Sequence, residues 1–265
     1  MSTFFEKIND LDILLHCDGY EREYFFAECS RLAYKGQKLA SKEFKKVGFT
    51  SYKFCSVEGA QCHIVKNRDY IVIAFRGTEP RQFSDIKADL MAWKRKSRTE
   101  GHVHAGFKNE LDKLWADIKM GLSRKGDRTI FLCGHSLGGA IATVCASRLE
   151  KDVEELYTYG SPRVGGDIFR DNLLVDHCRV VNNNDMVAKV PFWFMGYRHH
   201  GYLTYINHYG NVREMTSWQK LKDQIRGRWC ALRKFQMFDG IRDHDINKYC
   251  KKLKSLVKIE PTFGE

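Results

Sequence analysis

A single serine stands between two glycines at the point where the sequence changes from a strand pattern to a helix pattern. The run TIFLC, residues 129–133, is apolar and β-branched, and the segment 137–150 has the composition of a helix. Ser136 lies at the junction within GHSLG, residues 134–138, which fits the motif G-x-S-x-G. So tight a junction strains the serine backbone, and such strain is usually retained for function. The pattern therefore predicts an exposed, nucleophilic hydroxyl at Ser136.

A serine hydroxyl is a weak nucleophile and needs a base that an acid orients. On junctions of this kind the acid follows the serine in the chain, and the histidine follows the acid. The acids downstream are Asp167, Asp171, Asp176, Asp185 and Glu214. Asp185 comes just after an apolar strand pattern in RVVNNNDMVAKVP, and α/β folds build their sites beyond strand carboxyl ends. Asp185 is equally well explained as a turn residue of an asparagine-rich loop, so both interpretations stay open.

The histidines downstream of the serine are His177, His199, His200, His208 and His244. His177 precedes the favoured acid and so breaks the expected order. The neighbours in YRHHG cannot both face one site, and their basic surroundings indicate a solvated loop. His244, in RDHDINKYCKKL, begins a helix pattern with apolar residues that would anchor it, whereas His208 falls within a hairpin pattern. The pattern favours His244 as the base only modestly over His208.

Strand patterns and helix patterns alternate around these residues. The strand-like runs are SYKFCSV, AQCHIVK, DYIVIAFRG, TIFLC, ELYTYG and CRVVNNND, and amphipathic helix patterns cover residues 21–35 and 108–122. The motif VHAGF is predicted to be a turn, and the chain from 218 onward to be mostly helical. This alternation predicts an α/β fold with a mostly parallel central sheet flanked by helices. Because neither a linker nor an internal repeat is visible, we expect residues 1–265 to form a single domain.

Several motifs in the same order resemble those of the class 3 lipases, the α/β-hydrolase family that includes the filamentous-fungal triacylglycerol lipases. They are YIVIAFRGTE, VHAGF, GHSLGGAIA, LYTYGSPRVGG, VVNNNDMVAKVP and DHDINKY, which together span roughly residues 25–250. The resemblance implies a serine carboxylic-ester hydrolase acting on acylglycerols or related lipid esters. It implies Ser136 as the nucleophile, Asp185 as the acid and His244 as the base.

The same resemblance implies an oxyanion hole and no metal ion or organic cofactor. Thr78, in RGT, matches the oxyanion residue, and Leu137 would supply the second backbone amide, in agreement with its place at a helix N-terminus. Asp89, in KADLMAW, resembles an acidic residue that supports the Thr78 hydroxyl. A phospholipase A1 or galactolipase is the alternative enzyme, and a catalytically silent lipid-binding protein on the same fold is the alternative of another class.

Two segments are candidates for contact with a lipid surface. Residues 79–96 hold the lid position of the family and carry Phe83, Ile86, Leu90, Met91 and Trp93. A helix packed on the core explains that spacing as well. Residues 218–238 form a basic amphipathic pattern that suits an anionic bilayer, or a packed helix with a solvated basic face. No recognised nucleic-acid-binding module is present.

The formal net charge of +11 is uneven, with 12 Lys or Arg against 4 Asp over residues 220–258. No window approaches the roughly 18 consecutive apolar residues of a transmembrane helix. The first residues lack the pattern of a signal peptide, and the 9 cysteines are an odd number without metal-ligand spacing. These features predict a reducing, cytoplasmic location, with export by a nonstandard route as the alternative.

Overall fold

The computed structural model describes residues 4–6, 8, 11, 20–78, 93–212, 218–219, 222–223 and 242–257. The strands, in chain order, are β1 Ser51–Val57, β2 Ala60–Lys66, β3 Tyr70–Phe75, β4 Lys94–Lys96, β5 His102–His104, β6 Thr129–His135, β7 Val153–Tyr159, β8 Asp176–Asn182 and β9 Tyr202–Ile206. The α-helices are α1 Tyr20–Leu32, α2 Gln37–Lys46, α3 Ala105–Leu122, α4 Leu137–Leu149, α5 Asp167–Asp171 and α6 Ile246–Leu256. Single 3₁₀ turns span Glu150–Asp152, Val187–Lys189 and Trp193–Met195.

Seven strands form the central sheet in the order β1-β2-β3-β6-β7-β8-β9. The pairs β1–β2 and β2–β3 are antiparallel, and every pair from β3 to β9 is parallel. The carboxyl ends of the parallel strands therefore meet at one edge, where the chain leaves β3, β6 and β8 towards the predicted site residues. The predicted α/β fold with a mostly parallel sheet is confirmed.

Helices cover both faces of the sheet. On one face α1 and α6 pack over an aromatic cluster in which the Phe26 ring stacks on Tyr157 at 4.3 Å between centroids. On the other face α3 and α4 bury residues such as Leu111 and Ile141 against Leu132 of β6. Full burial of a side chain of this size contributes about 1.5–3 kcal/mol relative to exposure, so the two layers stabilise the sheet that carries the site.

Three local predictions differ from the structure. Helix α1 is not amphipathic, because the sheet lies on one side of it and α6 on the other; residues 23–32 are all buried. The motif VHAGF is not a turn: it ends β5 and begins α3, and the His104 ring caps the helix by accepting a hydrogen bond from the Gly106 amide. The lid segment was predicted from its helical spacing, but its end, Lys94–Lys96, is a strand paired with β5. Residues 79–92, with Asp89, lie outside the described residues.

The C-terminal prediction is confirmed for α6, which covers Ile246–Leu256, while residues 224–241 lie outside the described part. Of the predicted hairpin, the described residues show β9, the turn after it and an antiparallel bridge between Ile206 and Val212, and residues 213–217 lie outside them. The cysteines in the described ranges, Cys29, Cys55, Cys62, Cys133, Cys145, Cys178 and Cys250, are free and buried. Within those ranges, no helix combines the length and apolarity needed to span a bilayer.

Candidate active site

Ser136 occupies a strained turn between β6 and α4. Its backbone has φ 60° and ψ −131°, a conformation that side-chain-bearing residues rarely adopt. The two flanking glycines are required by space, since a Cβ at Gly138 would collide with the carbonyl oxygen of Phe75, and a Cβ at Gly134 would collide with Gly138. The expected strain at the serine is therefore present, and it is maintained by close packing of β6 against its own following helix and β3.

The prediction of an exposed Ser136 hydroxyl is wrong: the residue is 1% exposed, because the turn is packed against β3 and α4. The hydroxyl has no hydrogen-bond partner among the described residues. Its backbone is held instead, because the Ser136 amide donates to the Tyr159 carbonyl at the end of β7, at 2.9 Å. Buried hydroxyls in folded proteins are nearly always hydrogen-bonded, so an unsatisfied one suits a reactive role.

Asp185 and His244 form a buried pair across 59 residues of sequence. His244 Nδ1 lies 2.9 Å from Asp185 Oδ2 and 3.0 Å from Oδ1, and the two residues are 3% and 0% exposed. The carboxylate accepts two more hydrogen bonds, from the Tyr249 hydroxyl at 2.5 Å and from the Val187 amide at 2.9 Å. Because Nδ1 faces the acid, Nε2 is the nitrogen left to exchange a proton with a reactant.

The asparagine-rich loop has a clear structural task. Asn182 Nδ2 donates to the Asp243 carbonyl at 2.8 Å, and the Asp243 carboxylate accepts from Asn183 Nδ2 at 3.1 Å and from the Asn184 amide at 3.2 Å. These bonds fasten the residue before His244 to the loop that carries Asp185. The asparagines therefore hold the pair together and are not merely turn formers.

His135, the residue before Ser136, joins the histidine to the serine turn. Its Nε2 lies 2.6 Å from the His244 carbonyl oxygen, its Nδ1 lies 2.8 Å from the Tyr34 hydroxyl, and its ring centroid is 4.4 Å from that of His244. Burial, and then the neighbouring His244, lowers the pKa of His135 well below its usual value, so the ring is neutral. A neutral ring that donates from Nε2 to a carbonyl must accept from Tyr34 at Nδ1.

Sequence reasoning missed Tyr34, His135 and Tyr249. His135 was visible in principle, because it occupies the variable position inside the serine motif. Tyr249 stands on α6 five residues after His244, one turn into the helix whose N-cap is Asp245. Tyr34 has no local signal, since it meets His135 across 101 residues.

Of the predicted oxyanion residues, the structure describes Leu137 and Thr78, and Asp89 lies outside the described residues. Leu137 begins α4 directly after Ser136, so its amide belongs to the N-terminus of that helix. Thr78 is half-buried and follows Gly77, where a Cβ would lie 3.2 Å from the Cβ of Ser136. The chain after β3 thus passes directly beside the serine.

The other histidines lie elsewhere. His208 is half-buried, its amide donates to Asp223 at 3.0 Å, and its ring packs edge-on to Tyr209. His199 and His200 are half-buried and hydrogen-bonded, and so are not in the fully solvated loop that was expected. His200 stacks on His177, and the His199 ring binds the Ala188 carbonyl.

A strained serine, a buried carboxylate–imidazole pair and a mostly parallel sheet are the combination expected of the α/β-hydrolase fold. Residues 72–195 match the family described as Lipase (class 3). The match covers a little under half of the chain and includes Ser136 and Asp185.

Curated relatives and solved structures of lipases also match the chain. Over 106 residues the chain is 42% identical to "Secreted mono- and diacylglycerol lipase 1" of Fusarium solani, a match covering 37% of this chain and 32% of that protein. It is 30% identical over 151 residues to "Secreted mono- and diacylglycerol lipase MDL2" of Malassezia globosa, covering 52% of this chain and 48% of that protein. The chain thus spans about a third to a half of these relatives.

The fold is that of a Rhizomucor miehei triacylglyceride lipase, with a TM-score of 0.63 at 21% identity over 83% of this chain and 90% of that one. The expected cytoplasmic location is wrong by these comparisons. Several relatives are named secreted lipases, which points to an extracellular location. Free cysteines are a poor guide here, because a buried thiol also serves as a small apolar side chain.

Removal of the Tyr249 hydroxyl tests how the carboxylate is held. Tyr249→Phe takes one of the hydrogen bonds from Asp185 and also leaves the Asn182 amide without the oxygen that accepts it at 3.1 Å. Because both groups are buried, we expect the free energy of unfolding to fall by about 1–3 kcal/mol. Urea denaturation measures this, with the exposed Tyr20→Phe as the matched control. Equal stability of the two variants would contradict the assigned bonds.

Proposed function

We propose that the protein is a serine carboxylic-ester hydrolase that cleaves acylglycerols through an acyl-enzyme intermediate. The observation that carries this proposal is the buried Asp185–His244 pair, which His135 joins to the strained turn at Ser136. Ser136 Oγ attacks the ester carbonyl carbon while His244 Nε2 takes the hydroxyl proton. Asp185 stabilises the imidazolium that forms and holds its ring in place.

The tetrahedral intermediate needs donors for its oxyanion. We propose the Leu137 amide as one, aided by the positive end of the α4 dipole, and the Thr78 amide and hydroxyl as the other, with Asp89 supporting that hydroxyl. His244 then returns its proton to the departing alcohol oxygen. A water molecule, deprotonated by His244, then attacks the acyl carbon of the acyl-enzyme. His244 returns that proton to Ser136 Oγ as the bond to the acyl carbon breaks, which releases the fatty acid and the free serine.

An exposed aromatic turn that follows the Asp185 loop in the chain supports a lipid substrate. Trp193 and Phe194 are 66% and 68% exposed, and the Phe192 ring stacks on that of Phe194 at 5.2 Å between centroids. The turn follows the loop of Asp185, and Lys94 Nζ donates a hydrogen bond to the Gly196 carbonyl at its end. Trp93, the residue before Lys94, is 89% exposed. Contiguous exposed apolar side chains of this size mark interaction surfaces.

We propose that this aromatic turn, residues 192–195, rests on the lipid surface that presents the ester. Residues 93–96 would lie beside it as the described end of the lid segment 79–96, and the basic segment 218–238 would add contacts to anionic headgroups.

The substrate class is tested by one panel of esters. It contains p-nitrophenyl esters of two to sixteen carbons, emulsified mono-, di- and triacylglycerols, phosphatidylcholine and galactolipid, with the released acyl products identified. We expect turnover of the acylglycerols and p-nitrophenyl esters. Turnover of phosphatidylcholine or galactolipid alone would establish the phospholipase A1 or galactolipase instead, and vesicle binding without turnover of any ester would establish a silent lipid-binding protein.

Removal of the exposed rings separates surface contact from chemistry. The double variant Trp193→Ala/Phe194→Ala should lose about tenfold or more of its activity on emulsions, because each exposed aromatic ring contributes on the order of 1 kcal/mol or more to interfacial binding. Activity on soluble p-nitrophenyl acetate should stay unchanged. The control Leu174→Ala/Met120→Ala removes exposed apolar side chains far along the chain from the turn and should leave both activities intact. An equal loss on both substrates would contradict the assigned role.

A further inference from the structure

A second cleft gathers cationic and imidazole side chains that the proposed reaction does not use. It lies between β8, α5 and the segment before β9, and its lining includes His177, Arg179, His199 and His200. The cleft is narrow, with room for a group of about the size of one water molecule.

The charge of Arg179 is not compensated by the described residues around it. Its Nε is buried without a hydrogen-bond partner there, and no ion pair to its guanidinium is found in those ranges. Arg163 does not line the cleft, but its positive charge acts on Arg179. Its guanidinium donates to the backbone carbonyls of Lys189 and Pro191 rather than to a carboxylate. Two guanidinium groups that repel each other without an anion are an unfavourable arrangement for a partly buried site.

The carboxylates near the cleft are engaged at its rim. Asp167 pairs with Arg170 and with Arg198, each at 3.0 Å, and Asp171 pairs with Arg170 at 2.7 Å. Asp176, at the start of β8, is exposed. The inner part of the cleft is therefore left positive.

The histidines are held as a connected group. His177 Nε2 lies 2.8 Å from Thr158 Oγ1, and its Nδ1 lies 3.1 Å from His200 Nδ1. His199 Nε2 lies 2.8 Å from the Ala188 carbonyl oxygen, which accepts a hydrogen bond from it. Burial lowers the pKa of both His177 and His199, and Arg179 lowers them further, so these rings stay neutral beside a permanent cation.

We propose that this cleft binds one small inorganic anion, of the size of chloride, against the Arg179 guanidinium. A monatomic anion fits the narrow space, and it supplies the negative charge that the surrounding side chains lack. The site also bears on the proposed active site: His199 holds the turn Val187–Lys189 at Ala188, and the Val187 amide binds Asp185 Oδ1. A bound anion would therefore stabilise the loop that carries the acid. The proposal itself does not depend on hydrolase activity.

Thermal unfolding at constant ionic strength tests the site, with sodium gluconate exchanged stepwise for sodium chloride. Gluconate is too large for the cleft. For the wild type we expect a saturable rise in Tm of about 3 °C in chloride, since a ligand that binds only the folded state stabilises it. Arg179→Met should show no chloride-dependent rise, and in gluconate it should be at least as stable as the wild type because an unpaired charge has been removed.

A matched control and a designed replacement sharpen the test. Arg124→Met removes an exposed arginine and should keep the wild-type response to chloride. Leu203 pairs in register with Arg179 on the neighbouring strand, so Leu203→Glu places a carboxylate beside the guanidinium and should abolish the response while Arg179 is retained. Bromide in crystals should give an anomalous peak at Arg179. No chloride effect on the wild type, an equal response in Arg179→Met, or no bromide peak would overturn the proposal.

Discussion

Ser136→Ala is expected to reduce kcat for p-nitrophenyl ester hydrolysis by about 10⁴-fold to 10⁶-fold, because the variant lacks the oxygen that forms the acyl-enzyme. Its stability should change little, within about 0.5 kcal/mol. The Ser136 hydroxyl has no partner among the described residues, and alanine keeps the Cβ that the turn at φ 60° already accommodates. Loss of activity without loss of stability separates a chemical role from a structural one.

The measurement pairs initial rates with covalent labelling. A fluorophosphonate should modify the wild type at Ser136 and leave Ser136→Ala unmodified, as identified by mass spectrometry of the peptides. Ser147→Ala is the matched control, because Ser147 is a buried serine on α4 whose hydroxyl donates to the Val144 carbonyl. Unchanged hydrolysis by Ser136→Ala would show that the nucleophile lies elsewhere.

His244→Ala is expected to lower kcat by about 10³-fold or more, with little change in KM. The imidazole is the group that takes the serine proton in the proposed mechanism, and its loss also leaves the Asp185 carboxylate buried without the partner at 2.9 Å. His208→Ala should change kcat less than about twofold, since the structure ties that residue to Asp223 and Tyr209.

The two histidine variants should be compared at matched folded fraction, because a buried carboxylate without its partner destabilises the protein. Circular dichroism and denaturant midpoints provide that correction. His244→Gln keeps a polar group in the site without a basic ring, and it should be as inactive as the alanine variant. A larger loss in His208→Ala than in His244→Ala would transfer the role of the base to His208.

Much of the fold could be predicted from short windows of sequence. The change from TIFLC to a helix pattern around Ser136 depends on steric and periodic rules that act over a few residues, and the structure has β6, the strained turn and α4 in that order. The alternation of strands and helices likewise predicts a parallel sheet. Short windows gave a wrong prediction where contacts with distant parts of the chain determine burial. Helix α1 was predicted to be amphipathic, but α6 covers its second face.

Local rules of sequence could not predict which acid pairs with which histidine. Asp185 was as readily a turn residue as a site residue, and His244 only modestly preferable to His208. In the structure Asp185 bonds to His244. Hydrogen bonds from Asn182, Asn183 and Asn184 to Asp243 hold the two segments together. Compartment was misjudged for a related reason, because cysteine content reflects core packing as well as redox environment.

By itself, then, the sequence determined where a strained serine stands and what kind of sheet surrounds it, because those features follow from local backbone sterics and hydrophobic periodicity. Only the tertiary structure decided which histidine contacts Asp185. It also decided that His135 lies between His244 and Tyr34 and bonds to both. The contacts of Asp185 with His244 and of His135 with Tyr34 span 59 and 101 residues. They depend on how α1 and α6 pack against one face of the sheet. The spacing of side chains within a single segment does not predict that packing.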